Sequence, residues 1–114
     1  MPSGANWLIV FYEASSGRQP VQEIIRILEI NTKSKIARGI NLLAAYGPSI
    51  GMPHSKRLTQ AISELRIRGT TDVRILYGFA DRTIYFLHIF KKKSQQTPQR
   101  EITIAEARWR ELNS

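Results

Sequence analysis

The apolar positions in the N-terminal half of the chain predict one strand followed by two helices. An apolar and aromatic run of strand length covers residues 7–13 and ends at a serine–glycine turn. Apolar residues then recur at helical spacing over 20–28 and 33–46. Pro20 suits the first turn of the earlier helix, and glycine followed by Pro48 ends the later one. The two segments predict a helical hairpin with one apolar stripe to bury.

The C-terminal half predicts three strands and a closing helix. The strands cover residues 61–68, 73–80 and 83–91, separated by short turn signals. The last strand is apolar on both faces, so we expect it to lie inside the sheet and to be covered on both sides. Thr97 as cap and proline at the first position start the final helix. The stretch 49–59 is predicted to be an irregular connector.

The order β-α-α-β-β-β-α predicts an α+β fold, with the hairpin on one face of a small, twisted, mainly antiparallel sheet and a helix at the C-terminus. A chain of 114 residues, 42% of them hydrophobic, has enough apolar surface for one core. We therefore expect residues 1–114 to form a single domain, with residues 1–6 as a flexible tip.

The composition narrows the cellular context. No apolar run approaches the roughly 18 residues of a membrane span. The first residues lack the basic region and cleavage site of a signal peptide, so we expect none. The chain has no cysteine, which excludes disulfides and thiol nucleophiles and fits the reducing cytoplasm.

Positive charge is concentrated in one part of the chain. The net charge of +8 favours an anionic partner, either nucleic acid or a very acidic protein. Nine of the seventeen Lys and Arg residues lie between Lys56 and Lys93, where only three acidic residues occur. Arg66 and Arg68 alternate with apolar residues, so they share one face of their strand. This pattern predicts a sheet face that binds phosphate.

Arg74 is the sharpest single candidate for chemistry. It lies inside the middle predicted strand, between Val73 and Ile75, where an unpaired charge is costly. Such a residue either has a carboxylate partner, for which Glu64 is the nearest strand acid, or points into a site. Because the arginine fork binds phosphate oxygens in pairs, the second interpretation assigns Arg74 to stabilising a phosphate under attack.

RNA cleavage requires few further functional groups from the protein, because the ribose 2′-OH is an internal nucleophile. The protein must accept its proton, stabilise the crowded phosphorus and protonate the leaving 5′-oxygen. Glu64 and His54 are the candidate proton acceptors, although the first can simply pair with arginines and the second can be an ordinary surface residue. A lysine of the 91–93 run is the candidate donor, with Lys92 as the choice, since neighbouring cations lower a lysine pKa.

The remaining candidates concern binding. The cations expected to hold RNA are Lys56, Arg57, Arg68, Lys91 and Lys93. Tyr77 and Tyr85 either stack on bases or belong to the core. His88 is interpreted as a core histidine whose hydrogen bonds are satisfied. Two isolated histidines and no cysteine argue against a catalytic metal, and no cofactor is predicted.

Several segments in order resemble one known family: GMPHSKRL, ELRIRG, DVRILYGF, IYFLHIFKKKSQQTP and EITIAEARWREL. They resemble the RelE/HigB superfamily of toxins from bacterial type II toxin–antitoxin systems, most closely its phage-derived HigB-like branch. The resemblance covers nearly the whole chain. It implies a twisted antiparallel sheet with two N-terminal helices on one side. It also implies an endonuclease that cleaves mRNA on the ribosome and is neutralised by a cognate antitoxin, here a helix-turn-helix DNA-binding protein.

The resemblance also assigns site positions. The family's functional positions fall on Glu64, Arg66, Arg68, Arg74, Lys91 to Lys93 and, in a loop, His54. Some members carry an aromatic residue near the C-terminus that stacks on the substrate. At that point this chain offers only Gln95, Gln96 and Thr97.

Two other interpretations stay open. The same basic face would serve a non-catalytic module that holds RNA, DNA or an acidic partner. The chain could also be an inactive prophage relic of the toxin family. A binding module would tolerate Arg74→Lys and would generate no new RNA ends, whereas a nuclease would lose most of its rate.

Overall fold

The computed structural model describes residues 6–113, so the tip predicted at residues 1–6 lies outside the described residues apart from Asn6. The elements follow the order β-α-α-β-β-β-β-α. They are β1 (Leu8–Phe11), α1 (Pro20–Ile27), α2 (Ile30–Tyr46) followed by a 3₁₀ turn (Gly47–Ser49), β2 (Ser55–Arg57), β3 (Ser63–Ile67), β4 (Val73–Ala80), β5 (Thr83–Lys91) and α3 (Gln99–Leu112).

The strands form one five-stranded sheet in the order β1-β5-β4-β3-β2. β1 runs parallel to β5, and the other neighbouring pairs are antiparallel. The predicted α+β class with a mainly antiparallel sheet is therefore confirmed. β5 lies between β1 and β4, as its two apolar faces predicted.

The strand β2 corrects the expectation of an irregular connector over residues 49–59. Ser55–Arg57 pairs with β3, and the backbone N–H of Arg66 donates to the His54 carbonyl at 2.8 Å. Three residues with two cations show no apolar alternation, so the sequence carries no strand signal there. Pairing with a partner strand forms β2, and it brings residues 54–57 beside β3.

The sheet is covered on both faces. The helical hairpin packs on one face through a cluster that includes Val21, Ile36, Leu43, Leu65, Ile67, Val73, Ile75, Tyr77, Ile84, Phe86 and Ile89. The opposite face lies against α3 through Tyr12, Ile62, Leu76, Leu87, Ile102 and Ala105. Burying one large apolar side chain contributes roughly 1.5–3 kcal/mol, so both layers hold the sheet in place.

A bulge in β5 fastens the start of α3. Leu76 is opposite His88 and Tyr77 is opposite Phe86, which leaves Leu87 without a partner in β4. His88 Nε2 lies 2.6 Å from a carboxylate oxygen of Glu101 on α3. The interpretation of His88 as a satisfied core histidine is confirmed, and its bond fixes the helix beside the sheet.

The far end of α3 is fixed by close packing. Gly78 faces the Trp109 indole so closely that an added Cβ would lie 2.7 Å from the ring. Arg108 Nη1 donates to the Leu87 carbonyl at 2.7 Å. The loop between β5 and α3, residues 92–98, is therefore held between two anchored elements.

Candidate active site

α3 covers only part of its face of the sheet. Next to the N-terminal end of α3, this face carries polar side chains instead of core residues. Residues opposite each other in the register project from the same face, which links Lys56 with Glu64 and Arg66 with Arg74. Phe90 on β5 is opposite Arg74, and Lys92 follows Phe90 by two residues. Strand alternation therefore places Lys92 on the same face as Arg74. We call Lys56, Glu64, Arg66, Arg74 and Lys92 the basic face.

Arg74 is a buried cation, and two of its three guanidinium nitrogens lack a hydrogen-bond partner among the described residues. Its side chain is only 4% exposed, and within residues 6–113 neither Nε nor Nη1 has a hydrogen-bond partner. Burial lowers the pKa of the guanidinium, and the charges of Arg66 and Arg68 lower it further against the opposite effect of Glu64. A group left in this state destabilises the fold, which is typical of a ligand-binding position.

Glu64 is occupied by other partners. It is 1% exposed, its Oε2 accepts a hydrogen bond from Arg66 Nε at 3.2 Å, and its Oε1 accepts one from Thr97 Oγ1 at 2.6 Å. Both carboxylate oxygens are thereby engaged, and neither bonds to Arg74. Glu64 orients Arg66 and anchors the loop that precedes α3.

Lys92 lies close enough to Arg74 and Arg66 for their charges to change its pKa. Its ammonium donates to the carbonyls of Ser94 and Gln95. Burial lowers the pKa of Lys92, and the positive charges of Arg74 and Arg66 lower it further. A lysine in this state releases its proton more readily than an ordinary one, which suits a proton donor.

The remaining candidates for proton transfer and binding are exposed: Lys56 lies within the basic face, and His54 and Arg68 lie at its rim. His54 is exposed and sits across from Arg66, whose N–H bonds to its carbonyl. Lys56 is an exposed residue of β2. Arg68 lies one residue beyond the end of β3 and is exposed.

Three predicted RNA-binding cations lie away from this face. Arg57 donates to the carbonyls of residues 59 and 60 and lines a different pocket. Lys91 and Lys93 border an apolar groove against α1, next to Ile24 and Leu28. Consecutive strand residues point to opposite faces, so the lysine run is divided between the two sides of the sheet.

One of the two tyrosines belongs to the core, and the other packs against it. Tyr77 is 1% exposed and shares a 2.6 Å hydrogen bond with the Ser55 hydroxyl. Tyr85 is partly buried and packs edge-on against Trp109, with the ring centroids 6.1 Å apart. The buried Tyr77 ring therefore has a structural role.

A cleft of about 210 Å³ opens beside the basic face. It is lined by Lys56, Leu58, Glu64, Arg66, Gln95, Gln96, Thr97 and Ile102. The prediction that Thr97 caps the final helix is wrong. Pro98 occupies the cap position, and the Thr97 hydroxyl bonds to the buried Glu64 instead.

In the described part of the chain, no cluster of three or more His, Asp or Glu side chains is placed to hold a metal ion. The helices within residues 6–113 include none that is long and apolar enough to cross a membrane.

One family model matches the chain, over residues 23–110, and is described as Phage derived protein Gp49-like (DUF891). The chain belongs to this family. The Gp49-like family is a RelE/HigB-like toxin family, which agrees with the resemblance of the sequence segments. Its match spans α2, strands β2 to β5 and all five residues of the basic face. No curated protein matches the chain significantly.

Proposed function

We propose that this protein is the toxin of a toxin–antitoxin system and acts in the cytoplasm as a metal-independent endonuclease of mRNA on the ribosome. The observation that carries the proposal is the buried guanidinium of Arg74, of which Nε and Nη1 have no hydrogen-bond partner within residues 6–113, on the basic face of a chain of the Gp49-like family. A phosphodiester would supply an anionic partner for this guanidinium.

The chemistry starts from the phosphate. Arg74 and Arg66, side by side on β4 and β3, bind the two non-bridging oxygens and stabilise the charge that builds up at phosphorus. The 2′-oxygen forms a bond to phosphorus while the bond to the 5′-oxygen breaks. The products are a 2′,3′-cyclic phosphate on the upstream fragment and a 5′-hydroxyl on the downstream fragment.

Two protons move in this step. We assign the 2′-OH proton to His54, which is exposed at the rim beside Arg66, and the proton for the 5′-oxygen to Lys92, whose pKa is lowered. Glu64 is assigned a positioning role, because its two oxygens already accept hydrogen bonds from Arg66 and Thr97.

The proposed partners follow from charge and family. The net charge of +8 favours RNA and the ribosome as binding partners. Membership of a toxin family supports neutralisation by a cognate antitoxin, for which a helix-turn-helix DNA-binding protein is the expected type.

Expression in bacteria and in a translating extract tests the proposal. The wild type should arrest growth and shorten mRNA on ribosomes. Arg74→Ala should do neither while keeping its circular dichroism spectrum, and Arg38→Ala on the exposed surface of α2 should behave as the wild type. If the wild type slows translation but leaves mRNA intact, the protein is a binding module and the proposal is wrong.

A further inference from the structure

We infer that a cavity bounded by the end of β4, the turn at residues 58–62 and the loop that follows α2 is a binding site for a small aromatic carboxylate. Its volume is about 530 Å³. This lies within the roughly 300–1,000 Å³ of pockets that bind small molecules. No residue of the basic face lines the cavity, so the inference is independent of the proposed function.

The cavity exists because β3 begins before β4 has ended in the register of the sheet. Tyr77 on β4 is opposite Ser63, the first residue of β3, and residues 78–80 pair only with β5 in the described sheet. The sheet is therefore open beside the end of β4. Phe79, which packs with the hairpin cluster, and Trp109 of α3 both line this opening. A single ligand can thus contact both layers of the core.

The apolar part of the wall favours a flat ring. Phe79 and Trp109 are partly buried aromatic residues, and Pro48 and Ile50 line the same cavity from the loop after α2. Aromatic side chains bind a further ring in offset or edge-to-face arrangements. The wall therefore matches an aromatic ligand better than a flexible aliphatic chain.

Arg57 gives the cavity its positive charge. It is the cation among the lining residues, and none of them is acidic. Its Nε and Nη2 donate to the carbonyls of Thr59 and Gln60, which fixes the plane of the guanidinium, and neither bond uses Nη1. An arginine held in this way can bind a carboxylate through its remaining N–H groups.

A hydroxyl group lies beside this cation. Arg57 is opposite Ser63 in the register of β2 and β3, and the Cβ atoms of opposite residues are about 4.5–5.5 Å apart. Ser55 and Ser63 both form hydrogen bonds with the hydroxyl of the buried Tyr77. Three hydroxyls carry three O–H donors, and these two bonds use two of them. The third can donate to a carboxylate oxygen that Arg57 also binds.

Titration of the intact protein tests the inference by calorimetry and NMR shifts. The probes are indole-3-acetate, the uncharged indole-3-acetamide, and acetate. We expect the acid to bind about fivefold more tightly than the amide, because an exposed arginine contributes modestly. It should bind about tenfold or more tightly than acetate, because its ring is buried in the cavity. Arg57→Gln should reduce the affinity for the acid to that for the amide, and Ala61→Trp should fill the cavity and abolish binding of both.

Two matched variants serve as controls. Arg38→Gln removes the same charge from the exposed surface of α2, and Arg74→Met removes a cation of the basic face, so both should bind every probe as the wild type does. If the acid binds no better than the amide, or if Arg57→Gln or Ala61→Trp binds unchanged, the inference is wrong. If Arg74→Met loses the acid and Arg57→Gln keeps it, the carboxylate occupies the basic face, which contradicts the inference and leaves the proposed function standing.

Discussion

Arg66 and Arg74 lie directly opposite each other on β3 and β4, so two guanidinium groups project from neighbouring positions of one sheet face. Like charges placed in this way are destabilising. Glu64 bonds to Arg66 at 3.2 Å, whereas Arg74 Nε and Nη1 have no such partner in the described chain. The arrangement is unfavourable in the free protein and becomes favourable once an anion binds.

Arg74→Met should therefore stabilise the free protein. Methionine fills a similar volume and removes a buried unpaired group, whose desolvation costs about 1–3 kcal/mol. Urea denaturation should show a gain of that order, while binding of inorganic phosphate and cleavage of RNA are lost. Arg38→Met is the surface control and should change neither property. A less stable Arg74→Met variant would mean that the guanidinium has a partner in the folded protein.

Glu64→Gln separates positioning from proton abstraction. The substitution keeps the shape but weakens two hydrogen bonds of a buried carboxylate, each worth about 1.5–3 kcal/mol. We expect lower stability in urea and only partial loss of cleavage, whereas His54→Gln should keep its stability and lose most of the cleavage rate. Complete loss of cleavage in a folded Glu64→Gln variant, with His54→Gln still active, would make Glu64 the proton acceptor.

Thr97 should be replaceable by serine but not by valine. Thr97→Val removes the hydroxyl bound to Glu64 Oε1, so the loop is released and the carboxylate becomes free to turn toward Arg74. We expect KM for a short RNA to rise about tenfold or more, with a smaller change in kcat. Thr97→Ser should keep the KM of the wild type. Equal effects of the two substitutions would argue against the hydrogen bond as the cause.

Lys92 should titrate below the ordinary lysine value of 10.5. Burial and the charges of Arg74 and Arg66 disfavour the ammonium, so its midpoint falls, and a proton donor with this pKa loses activity as the pH rises through it. An NMR titration of the Lys92 side chain should show the lowered midpoint, and Arg74→Met should raise it. A midpoint that Arg74→Met leaves unchanged would place Lys92 outside the site.

Local patterns predicted most of the fold. The bounds of β4 and β5 follow from apolar runs between clear turns, and the hairpin helices follow from apolar stripes at helical spacing. β2 was not predictable, because its three residues are held by β3 and carry no pattern of their own. β2 is a strand because it pairs with β3, and only the folded structure shows that pairing.

Strand alternation predicts which side chains of the site share a face of the sheet. It does not predict hydrogen bonds between residues that are far apart in the sequence. Alternation predicts that Arg66 lies on a cationic face, and the same rule separates Lys92 from Lys91 and Lys93, although the three form one run of charge in the sequence. Thr97 before a proline reads as a helix cap, yet a buried carboxylate 33 residues away takes its hydroxyl. No local sequence pattern indicates that the Glu64 carboxylate bonds to Thr97 and Arg66 rather than to Arg74.

The most direct test of RNA cleavage at Arg74 is end-group analysis in a purified translation system with one defined mRNA. The account predicts that the wild type produces new downstream fragments with a 5′-hydroxyl, which ligate to an adaptor only after treatment with a kinase, and that folded Arg74→Met produces none. Intact mRNA with the wild type, fragments with a 5′-phosphate, or equal cleavage by Arg74→Met would contradict it.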